Sequence, residues 1–382
     1  MPWPNELPQT PITVNPMEKR VYNFSPGPAM LPLPALEEAQ RDLLALPGVG
    51  ISILEISHRS KAFGAIIEQA EANLRKLLAI PDGYHVVFFQ GGALLQFGMV
   101  AMNFLRGSGK SADYIVAGSW GKKAMEEAAT QGQVRAAWDG KAGNYHRMPN
   151  QEELDLDPNA AYLHVTSNET IQGVQCRLTP DPGTTPLVCD ASSDFLSRPV
   201  PVARYAVLYA CAQKNAGPAG VTVAILRDDV LGKCPKDLPS LVNYRVMAEG
   251  KSLLNTPPVF GVYMVKLVTD WLLNTVGGLE KMNEINRRKA QLLYDVIDRA
   301  DGFYAGHAEP WSRSLMNVTF RLPDAALEEA FLKGAKERGL VELKGHRSVG
   351  GCRASIYNAM PEEGVQALRD YMLEFRDKHR GK

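Results

Sequence analysis

The feature that most constrains the fold of this chain is a regular alternation of short apolar segments with amphipathic helical patterns between residues 33 and 278. The apolar segments predict strands at 85–89, 114–117, 161–165, 186–189, 207–211 and 221–226. Between the strands, 63–80 predicts a helix, because its apolar residues recur at helical spacing opposite a charged face. This alternation is typical of an α/β fold in which helices flank a mixed, mostly parallel sheet.

The pattern changes after residue 278. Longer helices are predicted there at 281–299, 325–338 and 362–379, with two strands at 314–321 and 353–357. This is typical of a smaller α+β domain. We therefore expect a large domain at 33–280 and a small domain formed by 17–32 together with 281–382. Residues 1–16 contain five prolines and predict an extended leader.

The composition argues against several classes of protein. Forty-two basic and forty-two acidic residues cancel, so no overall field favours nucleic acid or an anionic membrane surface. The N-terminus lacks the pattern of a secretory signal, and no apolar run approaches the roughly 20 residues of a membrane span. The five cysteines are scattered without CxxC spacing, which argues against a disulfide framework or a metal site. We therefore expect a cytoplasmic protein without a bound metal.

Lys214 stands between two of the predicted buried strands, 207–211 and 221–226, and so lies at the rim of a core. A lysine held against apolar walls loses solvation of its ammonium form, and we therefore expect its pKa to fall. The neutral amine is a nucleophile suited to forming a Schiff base with an aldehyde. The simpler alternative is a turn lysine whose ammonium reaches water.

Residues that follow the other strands bear on this choice, because ligands of open α/β sheets collect beyond the carboxyl ends of the strands. Gly91-Gly92 lead into a helix start that can bind phosphate, and the indole of Trp120 can stack on a planar ring. Hydroxyls in 166–170 can bind a ring oxygen, and Asp190 can pair with a protonated ring nitrogen. Each residue alone has a simpler explanation, such as packing or a helix cap. Together with Lys214 they provide what pyridoxal phosphate requires.

Two histidine–arginine pairs, His58-Arg59 and His346-Arg347, are accompanied by Arg353. Arginine binds carboxylate and phosphate groups through two parallel hydrogen bonds, and histidine adds a further donor. Taken singly, a surface arginine is usually a solvated charge. The repeated pairs favour a bound anion, and more than one arginine indicates a substrate with more than one acidic group.

Eight sequence motifs occur here in the order in which they occur in one enzyme family. They are NFSPGPAMLP, EISHRS, QGGALLQF, AGSWGKKA, SNETIQG, AQKNAGPAG, LLNTPPVF and GHRSVGGCRASIYNAMP. On these motifs the chain closely resembles the phosphoserine aminotransferase family, a branch of the class V, fold-type I enzymes that use pyridoxal phosphate. The resemblance extends from Val21 to the C-terminus, with small departures at Pro26, Leu94 and Cys352.

The resemblance implies a role for each candidate residue. Lys214 would bond covalently to the cofactor and act as the catalytic residue, Asp190 would pair with the ring nitrogen, and Trp120 would stack on the ring. The phosphate and the ring oxygen would be bound by Ala93, Leu94, Thr170, Gln213 and, from a neighbouring subunit, Asn255 and Thr256. The α-carboxylate of the substrate would bind Arg353, and its distal anion would bind His58, Arg59, His346 and Arg347.

The resemblance also implies an activity and an assembly. The chain would be a homodimer with active sites shared across the interface. It would transfer the amino group between L-glutamate and a phosphorylated 2-oxo acid, 3-phosphohydroxypyruvate, to give O-phospho-L-serine and 2-oxoglutarate. The phosphorylated hydroxythreonine precursor of vitamin B6 is a further candidate substrate.

Two alternatives stay open at this point. One is another class V enzyme, such as an alanine–glyoxylate aminotransferase or a cysteine desulfurase. The scattered cysteines offer no clear desulfurase nucleophile, and a neutral substrate would not need both histidine–arginine pairs. The other is a non-catalytic module that kept the fold, against which the presence of both Lys214 and Asp190 argues.

Overall fold

The computed structural model describes residues 20–380, so the predicted leader at 1–16 lies outside the described residues. Within them the helices are Leu33–Asp42 (α1), Lys61–Leu78 (α2), Ala93–Phe104 (α3), Ser119–Ala128 (α4), Asp228–Leu231 (α5), Tyr244–Glu249 (α6), Val259–Trp271 (α7), Leu279–Asp298 (α8), Ala325–Glu337 (α9) and Glu362–His379 (α10). The strands are Tyr22–Asn23 (β1), Tyr84–Gln90 (β2), Ser111–Val116 (β3), Gln133–Asp139 (β4), Leu163–Thr166 (β5), Asn168–Glu169 (β6), Val174–Gln175 (β7), Leu187–Asp190 (β8), Val207–Cys211 (β9), Val221–Arg227 (β10), Ala305–Gly306 (β11), Asn317–Arg321 (β12), Leu340–Val341 (β13) and Cys352–Ser355 (β14).

A seven-stranded sheet forms the centre of the larger part of the molecule, in the order β2-β10-β9-β8-β5-β3-β4. Neighbouring strands from β9 to β4 run parallel, whereas β10 runs antiparallel to both β9 and β2. All the strands except β10 therefore point the same way, and their carboxyl ends lie at one edge of the sheet. The prediction of a mixed, mostly parallel sheet flanked by helices is confirmed.

Each predicted strand is present within a few residues of its predicted bounds. In the seven-stranded sheet β4 was not predicted, and outside it the two-residue strands β1, β6, β7, β11 and β13 were not predicted. β4 is an edge strand with the sequence QVRAAWD, and Ala137 is its one buried residue. A strand that faces solvent along most of its length needs no continuous apolar run, so it lacks the signal that identified the others.

Side chains that alternate along the strands build a core on each face of the sheet. On β2, Val86 and Phe88 belong to a core shared with α2 and α7, and Val87 and Phe89 belong to a core shared with α3 and α6. The sheet is therefore the middle layer of three.

His164 on β5 is a polar residue inside the second of these cores. Only 1% of it is exposed, its ring stacks on Tyr114 at 5.0 Å, and its Nε2 lies 2.8 Å from the Tyr209 hydroxyl. Its Nδ1 has no hydrogen-bond partner in residues 20–380. Burial lowers the pKa of His164 to about 3, so the ring is neutral near pH 7.

A separate hydrophobic core lies in the C-terminal part of the chain. There the sheet β11-β12-β14 packs with α8, α9 and α10. Phe24 is fully buried in this core, and Tyr22 of β1 pairs with Leu340 of β13. On this basis we propose the division given above, with 33–280 as the large domain and 17–32 plus 281–382 as the small domain.

The stretch 259–276, which comprises α7 and a π-helical turn, is long and apolar enough to cross a membrane by length and composition. No uninterrupted apolar run marks it in the sequence, because Lys266 and Asp270 lie among its apolar residues. Half of this stretch is buried inside the protein, where α7 packs on α1 and α2, and core helices commonly have such a composition.

In residues 20–380, no group of three or more histidine, cysteine, aspartate or glutamate residues is arranged to hold a metal ion.

Candidate active site

Loops that follow strands of common direction meet at the carboxyl edge of the central sheet. Along this edge, in the order of the strands in space, lie the start of α3, Lys214, Asp190, Thr170 and Trp120. These residues are far apart in sequence, and the parallel strands bring them side by side.

Lys214 bonds to one of the predicted residues and lies near another. Its Nζ donates a hydrogen bond of 2.9 Å to Thr170 Oγ1 and lies 5.8 Å from the centre of the Trp120 ring. Gly27 lets the lysine stem pass close to the backbone, because a Cβ at this position would lie 3.3 Å from Lys214 Cγ. The φ of Gly27, +134°, is also a conformation that favours glycine.

The ammonium form of Lys214 is favoured by its surroundings. Burial opposes the charge, but the attraction of nearby groups outweighs burial and raises the pKa of Lys214; these groups are Tyr357, Cys211, Asp190 and Glu169. The expectation of a lowered pKa was therefore wrong for this structure, because it considered only the apolar strands beside the lysine.

Glu169 is a buried carboxylate to which the sequence analysis gave no role. Its two oxygens accept the backbone N–H groups of Trp120 at 2.9 Å and Gly121 at 2.7 Å, at the start of α4. Burial raises the pKa of Glu169 to about 7, while the two N–H bonds oppose that rise and Asp190 adds to it. A Cβ at Gly118 would lie 2.5 Å from the Glu169 carboxyl carbon, so only glycine fits there. The motif SNETIQG contains Glu169, but nothing local in it signals burial.

Asp190 ends β8 beside Thr166 of β5, and only 4% of it is exposed. Its Oδ1 accepts the backbone N–H of Ser192 at 2.9 Å. Burial raises the pKa of Asp190, and its bonds to Ser192 and the charge of Lys214 oppose that rise. A buried carboxylate in this position is suited to pairing with a cationic atom of a ligand.

Arg353 on β14 brings a buried cation to the same place. Only 5% of this residue is exposed, and its Nη1 donates to the Thr170 carbonyl oxygen at 3.4 Å. Burial lowers the pKa of Arg353, and its Nε has no hydrogen-bond partner within the described part of the chain. A buried guanidinium with a free N–H is a binding site for an anion. Thr170 links the two cations, because its hydroxyl accepts from Lys214 and its carbonyl accepts from Arg353.

The first turn of α3 offers backbone N–H groups to a ligand. The helix begins after Gly92 without a side-chain cap, and Ala93 and Leu94 occupy its first two positions. Such helix starts bind phosphate, because their N–H groups have no partner within the helix. Gln213 lies next to Lys214 in sequence, and its buried Oε1 has no hydrogen-bond partner among residues 20–380.

The single chain does not join all of the predicted residues. Among residues 20–380, Lys214 and Arg353 form no hydrogen bond with His58, Arg59, Asn255 or Thr256. The Thr256 carbonyl accepts instead from Gln90 Nε2 at 2.7 Å, near the start of α3. His346 lies in the field of Arg353 and Arg347, since burial and then these two charges lower the pKa of His346.

The structure itself fits pyridoxal phosphate. Trp120 Nε1, Gln213 Oε1 and Arg353 Nε are buried polar atoms without hydrogen-bond partners in the part of the chain that the structure describes. An aromatic cation with a phosphate group matches the free N–H groups of α3, the carboxylate of Asp190 and the ring face of Trp120.

Comparison with known proteins agrees with this geometry. The model of the aminotransferase class-V family matches residues 21–368. The phosphoserine aminotransferase of Rhodopirellula baltica is 52% identical to this chain over 94% of the chain and 96% of its own length.

Solved structures give the same result. The phosphoserine aminotransferase of Bacillus circulans subsp. alkalophilus matches with a TM-score of 0.92 and 48% identity, over 94% of this chain and 99% of that chain. The PLP-bound phosphoserine aminotransferase of Trichomonas vaginalis matches with a TM-score of 0.87 and 37% identity, over 93% of this chain and 100% of that chain. This chain therefore belongs to the class V aminotransferase family, in its phosphoserine aminotransferase branch.

Proposed function

We propose that this chain transfers the amino group of L-glutamate to 3-phosphohydroxypyruvate and releases 2-oxoglutarate and O-phospho-L-serine in two half-reactions. The observation that carries the proposal is the link from Lys214 through Thr170 to Arg353, which puts a proton-transfer group beside a buried anion site. The curated relatives carry this activity in their names, which supports the same reaction here.

The cofactor is pyridoxal phosphate, and the residues at the sheet edge are the ones suited to hold it. The N–H groups of Ala93 and Leu94, with Gln213, would bind its phosphate, Asp190 would pair with its ring nitrogen, and Trp120 would pack on its ring. The Thr170 hydroxyl, which accepts from Lys214, would bind the ring oxygen. When bound, the cofactor supplies an electron-accepting ring that stabilises the charge left on a substrate after loss of its α-proton.

Lys214 moves the proton in this proposal. Its Nζ takes the α-proton of the amino-acid substrate and later returns a proton, which requires the neutral amine. In the chain by itself burial disfavours the ammonium, and Tyr357, Cys211, Asp190 and Glu169 favour it. A cationic ring nitrogen paired with Asp190 would offset the charge of Asp190, one of the groups that raise the pKa of Lys214.

The arginines account for the choice of substrates. Arg353 binds the α-carboxylate, and His58, Arg59, His346 and Arg347 bind the distal anion. Glutamate carries a carboxylate at that end and phosphoserine carries a phosphate, so one set of cations serves both. An alanine–glyoxylate aminotransferase, whose substrates lack the distal anion, would not need this second set.

The visible absorbance of the bound cofactor tests the reaction. L-Glutamate should bleach the band of the purified holoenzyme, and 3-phosphohydroxypyruvate should restore it. Recovery with glyoxylate but not with the phosphorylated keto acid would contradict the proposed substrates. 4-Phosphohydroxy-L-threonine, which shares the α-amino acid group and the phosphate, is proposed as a second amino donor and should bleach the same band.

We also propose a homodimer in which Asn255 and Thr256 complete the phosphate site of the partner. Asn255 lines a cavity of about 160 Å³ together with Leu95 and Leu241, which are 45% and 46% exposed. Exposed leucines beside a cavity are typical of a surface that another chain covers.

Mixed dimers test the shared site. Lys214→Ala and Asn255→Ala chains should each be impaired alone, and mixing them should restore activity, because one site of the mixed dimer then has both native residues. If mixing restores no activity, Asn255 acts within its own chain.

For the compartment we propose the cytoplasm, which the unpaired state of all five cysteines supports.

A further inference from the structure

Lys289 on α8 is a fully buried lysine outside the set of residues assigned above. Its Nζ lies within hydrogen-bond distance of four backbone carbonyl oxygens: those of Tyr357 (2.7 Å), Ile356 (3.0 Å), Met360 (3.0 Å) and Asn358 (3.4 Å). It forms no ion pair with a carboxylate in residues 20–380. Lysine is rarely buried without such a partner, because removing its ammonium from water is costly. The converging carbonyls are therefore what holds the charge.

The segment 356–360 that surrounds this ammonium continues directly from β14, the strand that carries Arg353. Asn358 donates its backbone N–H to Asn215 Oδ1 at 2.9 Å, and Asn215 is the residue after Lys214. Tyr357 is the first of the groups whose attraction raises the pKa of Lys214. The segment therefore acts on the lysine loop through the hydrogen bond of Asn358, and it places Tyr357 near Lys214.

Asn286 holds the same segment from one turn earlier on α8. Its Nδ2 donates to Asn358 Oδ1 at 2.9 Å and to the Ser197 carbonyl oxygen at 3.1 Å. Residues three apart lie on one face of a helix, so Asn286 and Lys289 present a single polar face to the segment. Of the other buried residues of α8, Leu279 and Met282 belong to the core shared with α2 and α7, and those from Ala290 to Ile297 belong to the C-terminal core.

These contacts form a continuous path from the core of the small domain to the catalytic loop. α8 fixes segment 356–360, and that segment fixes Asn215 beside Lys214. We propose that Lys289 is a positioning residue for the transamination reaction, which gathers the carbonyls of 356–360 so that Tyr357 and Asn358 stay against the Lys214 loop. The proposal rests on the proposed function for its kinetic readout.

The path explains why a cation is used at this point. Four carbonyl oxygens that point at one place repel each other, and an apolar side chain would leave three of them, those of Ile356, Asn358 and Met360, without a donor among residues 20–380. The three N–H groups of an ammonium can bond three of the four oxygens at one time, and the Tyr357 oxygen also accepts the backbone N–H of Met360 at 3.0 Å. Burial lowers the pKa of Lys289 to about 7 and Glu362 opposes this, while the four acceptors demand more donors than a neutral amine has.

Lys289→Met tests the proposal, because methionine keeps the length and removes the charge. We expect the kcat of the holoenzyme for the L-glutamate half-reaction to fall about tenfold to a hundredfold with little change in KM, the pattern of a misplaced reacting group. The pH midpoint of the visible absorbance of the bound cofactor should also shift. Tyr304→Phe is the matched control: it removes one buried hydrogen bond to a carbonyl, that of Met372 at 2.9 Å, in the same core. Its kcat and midpoint should equal those of the wild type.

Two further variants keep the test decisive if Lys289→Met does not fold. Asn286→Ala and Asn215→Ala cut the same path at milder points and should lower kcat and move the absorbance midpoint in the same direction. Where all variants fold, Lys289→Met and Asn215→Ala should be non-additive in kcat, because they break one path. Native kcat and midpoint in folded Lys289→Met, or in both milder variants, would overturn the proposal. If the wild type does not react with L-glutamate, the proposed function fails, and the absorbance midpoint still decides the role of Lys289.

Discussion

The buried imidazole of His164 should make this protein acid-sensitive, and the size of the effect follows from its surroundings. The ring lies between Tyr114 and Tyr209 on the central sheet, and burial lowers its pKa to about 3 from an ordinary value of 6.5. Between these two values the unfolded chain binds a proton that the folded chain does not. The free energy of unfolding therefore falls as the pH falls from 6.5 toward 3.

The magnitude can be worked from these two pKa values. Each pH unit inside the window costs about 1.4 kcal/mol for one proton. At pH 5, His164 should therefore have removed about 2 kcal/mol of the stability that it leaves intact above pH 7. That amount is a substantial fraction of the total stability of an ordinary protein.

Urea unfolding of the holoenzyme at pH 7.5 and pH 5 measures this loss. His164→Phe removes the titrating group and keeps an aromatic ring against Tyr114, so about 2 kcal/mol of the acid-induced loss should disappear. Tyr209→Phe is the matched control, because it breaks the same 2.8 Å contact but leaves the histidine to titrate. Both variants should be less stable than the wild type at pH 7.5, by about 1 kcal/mol for the lost hydrogen bond.

The test is the difference between the two variants in the unfolding free energy that each loses between pH 7.5 and pH 5. If His164→Phe loses as much stability on acidification as Tyr209→Phe does, His164 is not the acid-sensitive group. The reasoning from burial would then be refuted even if both variants were destabilised at neutral pH.

Three other changes have expected outcomes. Lys214→Ala should still bind the cofactor, measured by its absorbance after gel filtration, but should lose turnover; measurable turnover would remove the lysine from its role. Gly118→Ala forces a Cβ to within 2.5 Å of Glu169, so thermal unfolding should show a loss of about 1–3 kcal/mol, whereas Gly64→Ala on α2 meets no atom within 4 Å and should gain about 0.5–1 kcal/mol. Equal effects of the two glycine changes would contradict the packing argument. Arg353→Gln should raise the KM for L-glutamate about tenfold or more, since a charged hydrogen bond contributes about 1.5–3 kcal/mol; an unchanged KM in steady-state kinetics would mean that the α-carboxylate binds elsewhere.

The sheet was predictable because its central strands are buried on both faces. Continuous apolar runs such as VLYAC in β9 and LVCD in β8 result from that burial, and each is followed by a loop. β4 escaped prediction because the edge of a sheet places no such demand on its sequence. The antiparallel direction of β10 also has no local signal, since direction depends on how the chain crosses between strands.

The candidate site was predictable where a residue type is unusual for its place on a strand end, as with Lys214 and Asp190. The pKa of Lys214 was not predictable from the sequence, because Tyr357, Asp190 and Glu169 act on it from remote segments. The roles of Glu169 and Lys289 were not predicted, for a related reason. Each looks like an ordinary charged residue in sequence, and only the fold shows that its partners are backbone groups.

The helices α3 and α4 begin at the carboxyl edge of the sheet, and they differ in whether their first N–H groups are free to bind an anion. The first N–H groups of α4 are occupied by the carboxylate of Glu169, while α3 begins without any side-chain cap. The two ends of this edge therefore differ. The end at α3 attracts anions, and the end toward α4 is lined by a carboxylate. An elongated ligand with a phosphate at one end would meet a helix start without a side-chain cap at α3, whereas the N–H groups of Trp120 and Gly121 at α4 are already bonded. The hydrogen bonds of Glu169 to the start of α4 thus leave α3 as the helix start that is open to an anion.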